Sequence, residues 1–558
     1  FNRSARWTRP GVYALAVTGA GLAVAASAAR LTAQEPADTT LAFTAGLDVP
    51  LPVDPAVTIG QLDNGLRYYI RHNSRPENRA ELRLFVNAGS VLEDDDQLGL
   101  AHFLEHMAFN GTEHFEKQEL IDYLQFIGMR FGADVNAYTS FDETAYMLTV
   151  PTDSAEIVET AFQILEDWAH GIAFDSTEVE KERGVVVEEW RLGQGAWARV
   201  RDQQFPVLFQ GSKYADRLPI GDPEILETFD HAVLKRFYRD WYRPDLMAIV
   251  AVGDFDPDWI RDLIHEHFGR LSAPEEIRPR DLAAVPDHDE TLFAIASDPE
   301  LTLSNVSVTW KLPLSEDATH GDYRRSFVES AYNSMFNFRM YEITQSSEDP
   351  PFLGAGSGKG RFVRSSDIYQ LGATVKDGEI ERGLERVLLE AERVAQYGFT
   401  EAELERQKAD VLRSYERAYT EREKRESSRL AAEYGRSFLQ GEPIPGIEYE
   451  YALARRFIPE ITLDEVNEIG RSWISDRNRV ILAASPEKDG VAVPDEAALA
   501  VVFESAAAQP VSPWEDSASD QPLLAELPEP GRITEEESLP ALGITIWTLG
   551  NGARVILK

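Results

Sequence analysis

The sequence predicts an α+β protein in which two similar α/β domains follow one another along the chain. An internal echo points to the duplication: Trp241 and the apolar run Ala248–Val252 (AIVAV) align, at one constant offset, with Trp473 and Val480–Ala484 (VILAA). Mixed local signals point to the class, since Asn-Gly turns between extended segments stand beside stretches that suit helices. Length agrees: 558 residues with 43% apolar content can form several cores, and roughly two to four domains fit such a chain.

Residues 1–33 read as an address. Arg3, Arg6 and Arg9 precede the small and apolar stretch Gly11–Ala29, and Leu31-Thr32-Ala33 offers a cleavage site before Gln34. This signal peptide would place the mature chain outside the cytoplasm, and its Gly- and Ala-rich content makes it a poor permanent membrane span. An N-terminal extension over 34–54 leads to a first domain over 55–275. Near its start, Leu62-Asp63-Asn64-Gly65-Leu66-Arg67 predicts a hairpin turn.

Within the helix-compatible stretch Leu98–Phe109 stands His102-Phe103-Leu104-Glu105-His106. The pattern H-x-x-E-H is a zinc-hydrolase signature in reversed order. Residues four apart share a helix face, so His102 and His106 can reach one metal ion, and Glu105 projects beside it. Zinc takes neutral imidazole nitrogens, usually one further protein ligand, and an open position for water. A neighbouring carboxylate can take that water's proton. An amphipathic helix with ordinary histidines is the plain alternative, so the third ligand matters.

Ser176–Leu192 supplies acids for that role. Thr177 followed by Glu180 predicts a capping box and a helix start. Glu182 and Glu189 are two turns apart and share a face, whereas Glu188 points elsewhere. Gly184 and the run Val185–Val187 weaken the helix expectation, and a solvated charged face is the competing reading. Spacing alone leaves Glu188 and Glu189 both open.

His102–His106 followed by Lys181-Glu182-Arg183-Gly184-Val185-Val186-Val187-Glu188-Glu189-Trp190 resembles the pitrilysin/insulysin family of inverzincins, and above all its bacterial periplasmic zinc proteases. The resemblance implies His102, His106 and Glu189 as ligands of one Zn2+, Glu105 as general base, and Glu182 as a carboxylate that orients the site. Glu189 is preferred to Glu188 because it shares a face with Glu182. The stretch from His106 to Glu189 is slightly longer than the family's usual spacing, as a short insertion would cause. Asn136, Ala137 and Tyr138, with Thr139, resemble the family's N-A-x-T edge strand, which pairs with substrate backbone; an ordinary core strand is the alternative. The implied architecture is a clamshell of four α/β domains, each an antiparallel or mixed sheet flanked by helices, of which this chain carries one half. The implied activity is zinc-dependent endopeptidase cleavage of peptides or small unfolded proteins in the periplasm of a Gram-negative bacterium.

The second domain, over 285–490, carries no comparable constellation. His288 and His320 are isolated and expected at the surface, and His265-Glu266-His267, in the first domain, splits its rings across a helix. Gly354–Arg361 (GAGSGKGR) has Gly360 where a phosphate loop needs Ser or Thr, and reads as a flexible loop. Glu401–Arg429 reads as a solvated helix. A linker rich in Pro and acids is expected over 500–538, centred on Pro510–Gly531, and the start of a third domain over 539–558. There Leu549-Gly550-Asn551-Gly552-Ala553-Arg554 repeats the turn signal. The chain therefore reads as a fragment that needs a second half, or a partner subunit, to close a substrate chamber.

Composition narrows the partners. The absence of Cys excludes disulfides, thiolate metal sites and cysteine nucleophiles. A formal net charge of −40 argues against a nucleic-acid partner. It would favour cationic peptides in an acidic chamber, or serve solubility alone. Two other functions fit the same residues: a non-catalytic binding or assembly subunit on this fold, and a zinc amidase of non-peptide substrates.

Overall fold

The computed structural model describes residues 46–516, 529 and 531–558. The expected signal peptide over 1–33 lies outside the described residues, as do 34–45 of the extension and 517–528 of the linker. The chain divides into two compact units, the first running to Trp514 and the second from Glu515 to Lys558.

The first unit contains two sheets on one plan. The first sheet holds β1 (Thr58–Gln61), β2 (Arg67–His72), β3 (Arg79–Val86), β4 (Val135–Thr139), β5 (Thr144–Pro151) and β6 (Met247–Gly253), in the order β1-β2-β6-β3-β5-β4. Its neighbours are antiparallel except β2 and β6. The second sheet holds β7 (Leu292–Asp298), β8 (Ser304–Leu312), β9 (Gly354–Val363), β10 (Ser366–Val375) and β11 (Arg479–Pro486), in the order β7-β11-β8-β10-β9. Here β7 and β11 are the parallel pair. In both sheets the last strand returns between the first long strand and the second, parallel to one and antiparallel to the other. β6 contains the run Ala248–Val252 and β11 contains Val480–Ala484, so the sequence echo marks equivalent strands. The expected pair of similar α/β domains with mixed sheets is the observed fold.

The hairpin expected at Leu62–Arg67 joins β1 to β2, with Gly65 at φ +97°. Asn64 pins this turn by donating to the carbonyls of Phe268 (2.8 Å) and Leu271 (2.9 Å) at the end of the helix Pro257–Phe268. β6 is buried at every position, which its sequence MAIVAVG accommodates because helices cover both faces. Ile249 and Ala251 join the main core of the first repeat, while Ala248, Val250 and Val252 face the helix Ser427–Gln440 from the second. On that face Tyr434 stacks on Tyr69 and Gly435 lies flat on Phe85, where a Cβ would run into the ring.

Four expectations are corrected here. Glu401–Arg429 is not one solvated helix: Glu401–Thr420 ends, and the helix from Ser427 buries Leu430, Ala431, Tyr434 and Leu439. Gly354–Arg361 is not a loop but most of edge strand β9, paired with β10. At Gly356 a Cβ would strike the Asn337 side chain, which bonds both the N–H and the carbonyl of Ser357. His320 is fully buried rather than at the surface, its Nε2 bonded to the Tyr449 hydroxyl at 2.8 Å, which meets part of the cost of burying it. The stretch expected as linker begins inside a helix, Glu496–Ala508, that packs Leu499 and Ala506 into the second core.

The second unit is a small antiparallel meander of β12 (Ile533–Leu539), β13 (Ile544–Leu549) and β14 (Arg554–Leu557). Its last turn uses Asn551 and Gly552, the latter at φ +84°. No helix among the described residues is long and apolar enough to cross a membrane.

Candidate metal centre

The helix Leu100–Met107 carries the H-x-x-E-H residues. It buries Leu100, Ala101, Phe103, Leu104 and Met107 in the first core, which leaves His102 and His106 on the half-buried opposite face. Gly99 precedes it at φ +93° and abuts Gly221, so that a Cβ on either would strike the other's backbone. Glu93 caps the helix: its buried carboxylate accepts the N–H groups of Gly99 (3.0 Å) and Ala101 (2.8 Å). Burial pushes the Glu93 carboxyl up to about 8 against those bonds.

The second element is the helix Ser176–Gly193. The expected capping box is not what starts it. Asp175 accepts from the N–H groups of Thr177 and Glu178, an N-cap earlier than the sequence signal, and the helix runs through Gly184 unbroken. Val179, Glu182 and Val186 form its buried stripe.

These two helices bring His102, His106 and Glu189 together. One ligand atom from each lies within 4.8 Å of the others, the one such group of three among the described residues. Glu189 approaches Nε2 of His102 at 3.8 Å and Nε2 of His106 at 3.3 Å. Each carboxylate oxygen of Glu189 thus faces one imidazole nitrogen, and the three side chains surround a space that suits one cation. The imidazole rings stand nearly perpendicular, 4.7 Å between centroids. Glu188 turns away and pairs with Arg191 at 2.7 Å, so it is Glu189 that stands beside the two imidazoles.

Behind His106, Glu182 accepts from Nδ1 at 2.8 Å. Were a cation to displace the proton on Nε2, that bond would keep Nδ1 as the donor and turn the Nε2 lone pair toward Glu189, as a metal-binding imidazole requires. Nδ1 of His102 is buried with no hydrogen-bond partner among the described groups. Burial, with His106 adjacent, lowers His102 to about 4 and keeps it neutral. Burial opposes charge on His106 as well, but the bonds to Glu182 and Glu189 outweigh it and raise that residue to about 10. Two imidazoles beside an acid, with a second acid behind, form a donor set suited to a divalent cation.

Glu105 lies next to this group and is buried, which raises its carboxyl to about 7 although His106 and Thr139 pull it down. Thr139, the last residue of β4, donates its hydroxyl to Oε2 of Glu105 at 3.0 Å. β4 is the edge of the first sheet and pairs with β5 alone among the described strands. Asn136 and Tyr138 are exposed along it, while Ala137 packs against the core side. The Asn136 side chain covers the Ala137 N–H at 3.0 Å. Sequence reading missed Glu93 and Asp175, which lie outside any motif, and the hydroxyl role of Thr139, although that residue stands in the tetrapeptide singled out. The His265-Glu266-His267 rings diverge as expected, His267 to Glu166 and His265 to the edge of Tyr68.

Residues 68–211 match the family profile described as Insulinase (Peptidase family M16), and residues 228–411 match that described as Peptidase M16 inactive domain. A zinc protease PQQL-like protein of Arabidopsis thaliana is 34% identical over 500 residues, which cover 89% of this chain and 49% of the relative. The probable zinc protease PqqL of Escherichia coli (strain K12) is 31% identical over 518 residues, 91% of this chain and 54% of the relative. The crystal structure of the first half of the periplasmic protease PqqL from Escherichia coli superposes with a TM-score of 0.78 at 28% identity, over 84% of this chain and 100% of that one. The chain thus spans about half the length of the curated relatives it matches. With the His-His-Glu group inside the stretch that matches the first profile, and the second profile reaching into the second repeat, the chain belongs to the insulinase (pitrilysin) family, peptidase family M16, beside the PqqL-like zinc proteases.

Proposed function

We propose that this chain is the metal-bearing half of a zinc-dependent endopeptidase that acts in the periplasm. The convergence of His102, His106 and Glu189 beside the buried Glu105 carries this reading. One Zn2+ held by those three side chains would lower the pKa of a water molecule and polarise a peptide carbonyl. Glu105 is the general base. Its carboxyl sits near 7, so it can take a proton from water and return one to the leaving amine at neutral pH. Thr139 fixes one carboxylate oxygen and leaves the other to the substrate side. Glu182 fixes the tautomer and orientation of His106.

The open edge of β4 suits an extended peptide, whose backbone would pair along Asn136, Ala137 and Tyr138 once the Asn136 side chain swings off the Ala137 N–H. The net charge of −40 favours cationic peptides in long-range attraction. A second half, or a partner subunit, closes the chamber; the share of its relatives that this chain spans supports this. The full complement of four site residues weighs against a non-catalytic assembly subunit, and the edge strand weighs against an amidase of small substrates.

Zinc content and peptide hydrolysis, measured with the second half supplied, test the reading. Glu105→Gln should keep its zinc and lose at least about a hundredfold in rate. Glu189→Ala should lose the metal. A zinc-loaded and active Gln variant would remove Glu105 from the role of base, and undiminished zinc in the Ala variant would move the third ligand elsewhere. Turnover of small amides with no cleavage of any peptide would favour the amidase.

A further inference from the structure

The second repeat contains a cavity of about 360 Å3 between its sheet and the helices Ile380–Tyr397, Leu463–Trp473 and Glu496–Ala508. Its walls are apolar: Trp310 and Leu371 from the sheet, Tyr332, Leu388 and Phe503 from helices, and Ala506 from the last of these. The first repeat shows what the same position holds when filled. There the helix after the final strand, Pro257–Phe268, packs on Ala155–His170 and buries Ile260, Leu263, Ile264 and Phe268. Its counterpart after β11, Glu496–Ala508, packs on Ile380–Tyr397 in the same way but is EAALAVVFESAAA and buries only Leu499 and Ala506. Counted from their N-cap aspartates, Asp256 and Asp495, the two helices match Ile260, Leu263 and Ile264 with Leu499, Val502 and Phe503, but Phe268 with Ala507, which lines the cavity.

One charged group on its wall, Arg479, has its ion pair only at the outer edge, with an exposed Asp476. Arg479 extends over the Phe503 ring at 4.1 Å, with its side chain only 13% exposed. Its Nε and Nη2 both donate to the Thr291 hydroxyl, while Nη1 reaches only the Ser475 carbonyl at 3.5 Å and a fully exposed Asp476 at 3.6 Å. The other polar side chains at the mouth are already engaged: Arg471 with Glu468 and the Ala395 carbonyl, Glu392 with Gln396, Asn467 with the Phe399 N–H. A half-buried guanidinium bonded mainly to a neutral hydroxyl favours an anionic acceptor, and carboxylate matches its fork. Pockets of about 300 Å3 and above, apolar with one placed polar group, are of ligand size.

We infer that this cavity binds an aliphatic carboxylate, its chain between Trp310, Leu388 and Phe503 and its head on Nη1 of Arg479. The site is separate from the metal centre, whose ligands all lie in the first repeat, and it stands or falls independently of the protease reading.

Calorimetric titration and thermal unfolding of the full chain with decanoate, decanol and decylamine decide it. Decanoate should bind saturably and raise the unfolding temperature, decanol should bind about tenfold more weakly, and decylamine should not bind. Arg479→Gln should lower decanoate affinity about tenfold and leave decanol unchanged. Ala506→Leu and Ala395→Leu, two ways of filling the space from different helices, should each abolish binding of both; the second keeps the test alive if the first is overpacked. No saturable decanoate binding to the parent chain overturns the inference. So does equal binding of decanoate and decylamine, or full decanoate affinity in folded, filled variants. Loss of binding in the filled variants with none in Arg479→Gln would overturn the carboxylate assignment.

Discussion

Glu182 holds the Nδ1 proton of His106, so the nitrogen that would be left to a metal, the one facing Glu189, is set by a side chain behind the ring. Glu182→Gln should therefore weaken zinc binding by about ten- to a hundredfold with little change in unfolding temperature, as read by competition with a chromophoric chelator. Zinc affinity equal to the parent's would relegate Glu182 to packing. At this scale the sequence is informative where chemistry imposes spacing. His102, Glu105 and His106 can be named because one helix turn fixes their relation. Glu189 cannot be separated from Glu188 by distance along the chain; only the helical face, and the Arg191 that draws Glu188 outward, distinguishes them. Glu93 is beyond reach because its partners are backbone N–H groups that any sequence would offer.

Helices in the second repeat are joined by a charge buried without solvent. Arg339, on the helix His320–Ser346, is fully buried and binds Glu390 of Ile380–Tyr397 and Glu403 of Glu401–Thr420, with its guanidinium over Phe399 and Trp514. Arg339→Met would strip Glu403 of its cation, while Glu390 keeps Arg386 and Arg393, and should cost about 3–5 kcal/mol, measurable as a lowered midpoint in urea. A loss under about 1 kcal/mol would mean the stripped carboxylate protonates or reaches water instead. Element assignments fail where tertiary contacts override composition. β9 has no β-branched residue before Val363, yet Lys359 reaches Glu329 and Arg361 reaches Asp367, so the strand is held by its alternate side chains. The segment Glu401–Arg429 reads as solvated because the apolar stripe that matters begins at Leu430.

For the molecule as a whole, several buried carboxyls are held in their neutral form. Burial raises Asp317 to about 8 although Arg325 and Lys359 oppose it, and burial together with Glu433 raises Glu450 to about 7. Both folded values lie above those of the unfolded chain, so the native state retains protons that the unfolded state has released. Their stabilisation is complete below about pH 4 and is lost as pH climbs through 7 and 8. Carboxyls shifted the other way, Glu180 and Glu465 at about 2, contribute stability that is complete above about pH 5 and is lost only as pH falls toward 2, so they add no slope above pH 5. The unfolding temperature should thus fall from about pH 5 to about pH 8, and Asp317→Asn and Glu450→Gln should each flatten that slope. A flat profile in the parent would contradict the burial argument.

The helix Ser427–Gln440 closes the far face of the first sheet, although the whole of the second sheet except β11 lies between it and β6 along the chain. Val57, Tyr69, Phe85, Ala248, Val250 and Val252 gather in one cluster with its Leu430, Ala431, Tyr434 and Leu439. The duplicated halves are thus not modules that can be traded or expressed apart. Cutting the chain after Phe268 would keep every candidate metal ligand yet uncover a continuous apolar sheet face, and the excised piece should aggregate or bind hydrophobic dyes. Adding back residues 285–514 in trans should suppress both. A substitution on that sheet face has to be accommodated by the other copy of the repeat, which binds the two into a single unit of inheritance.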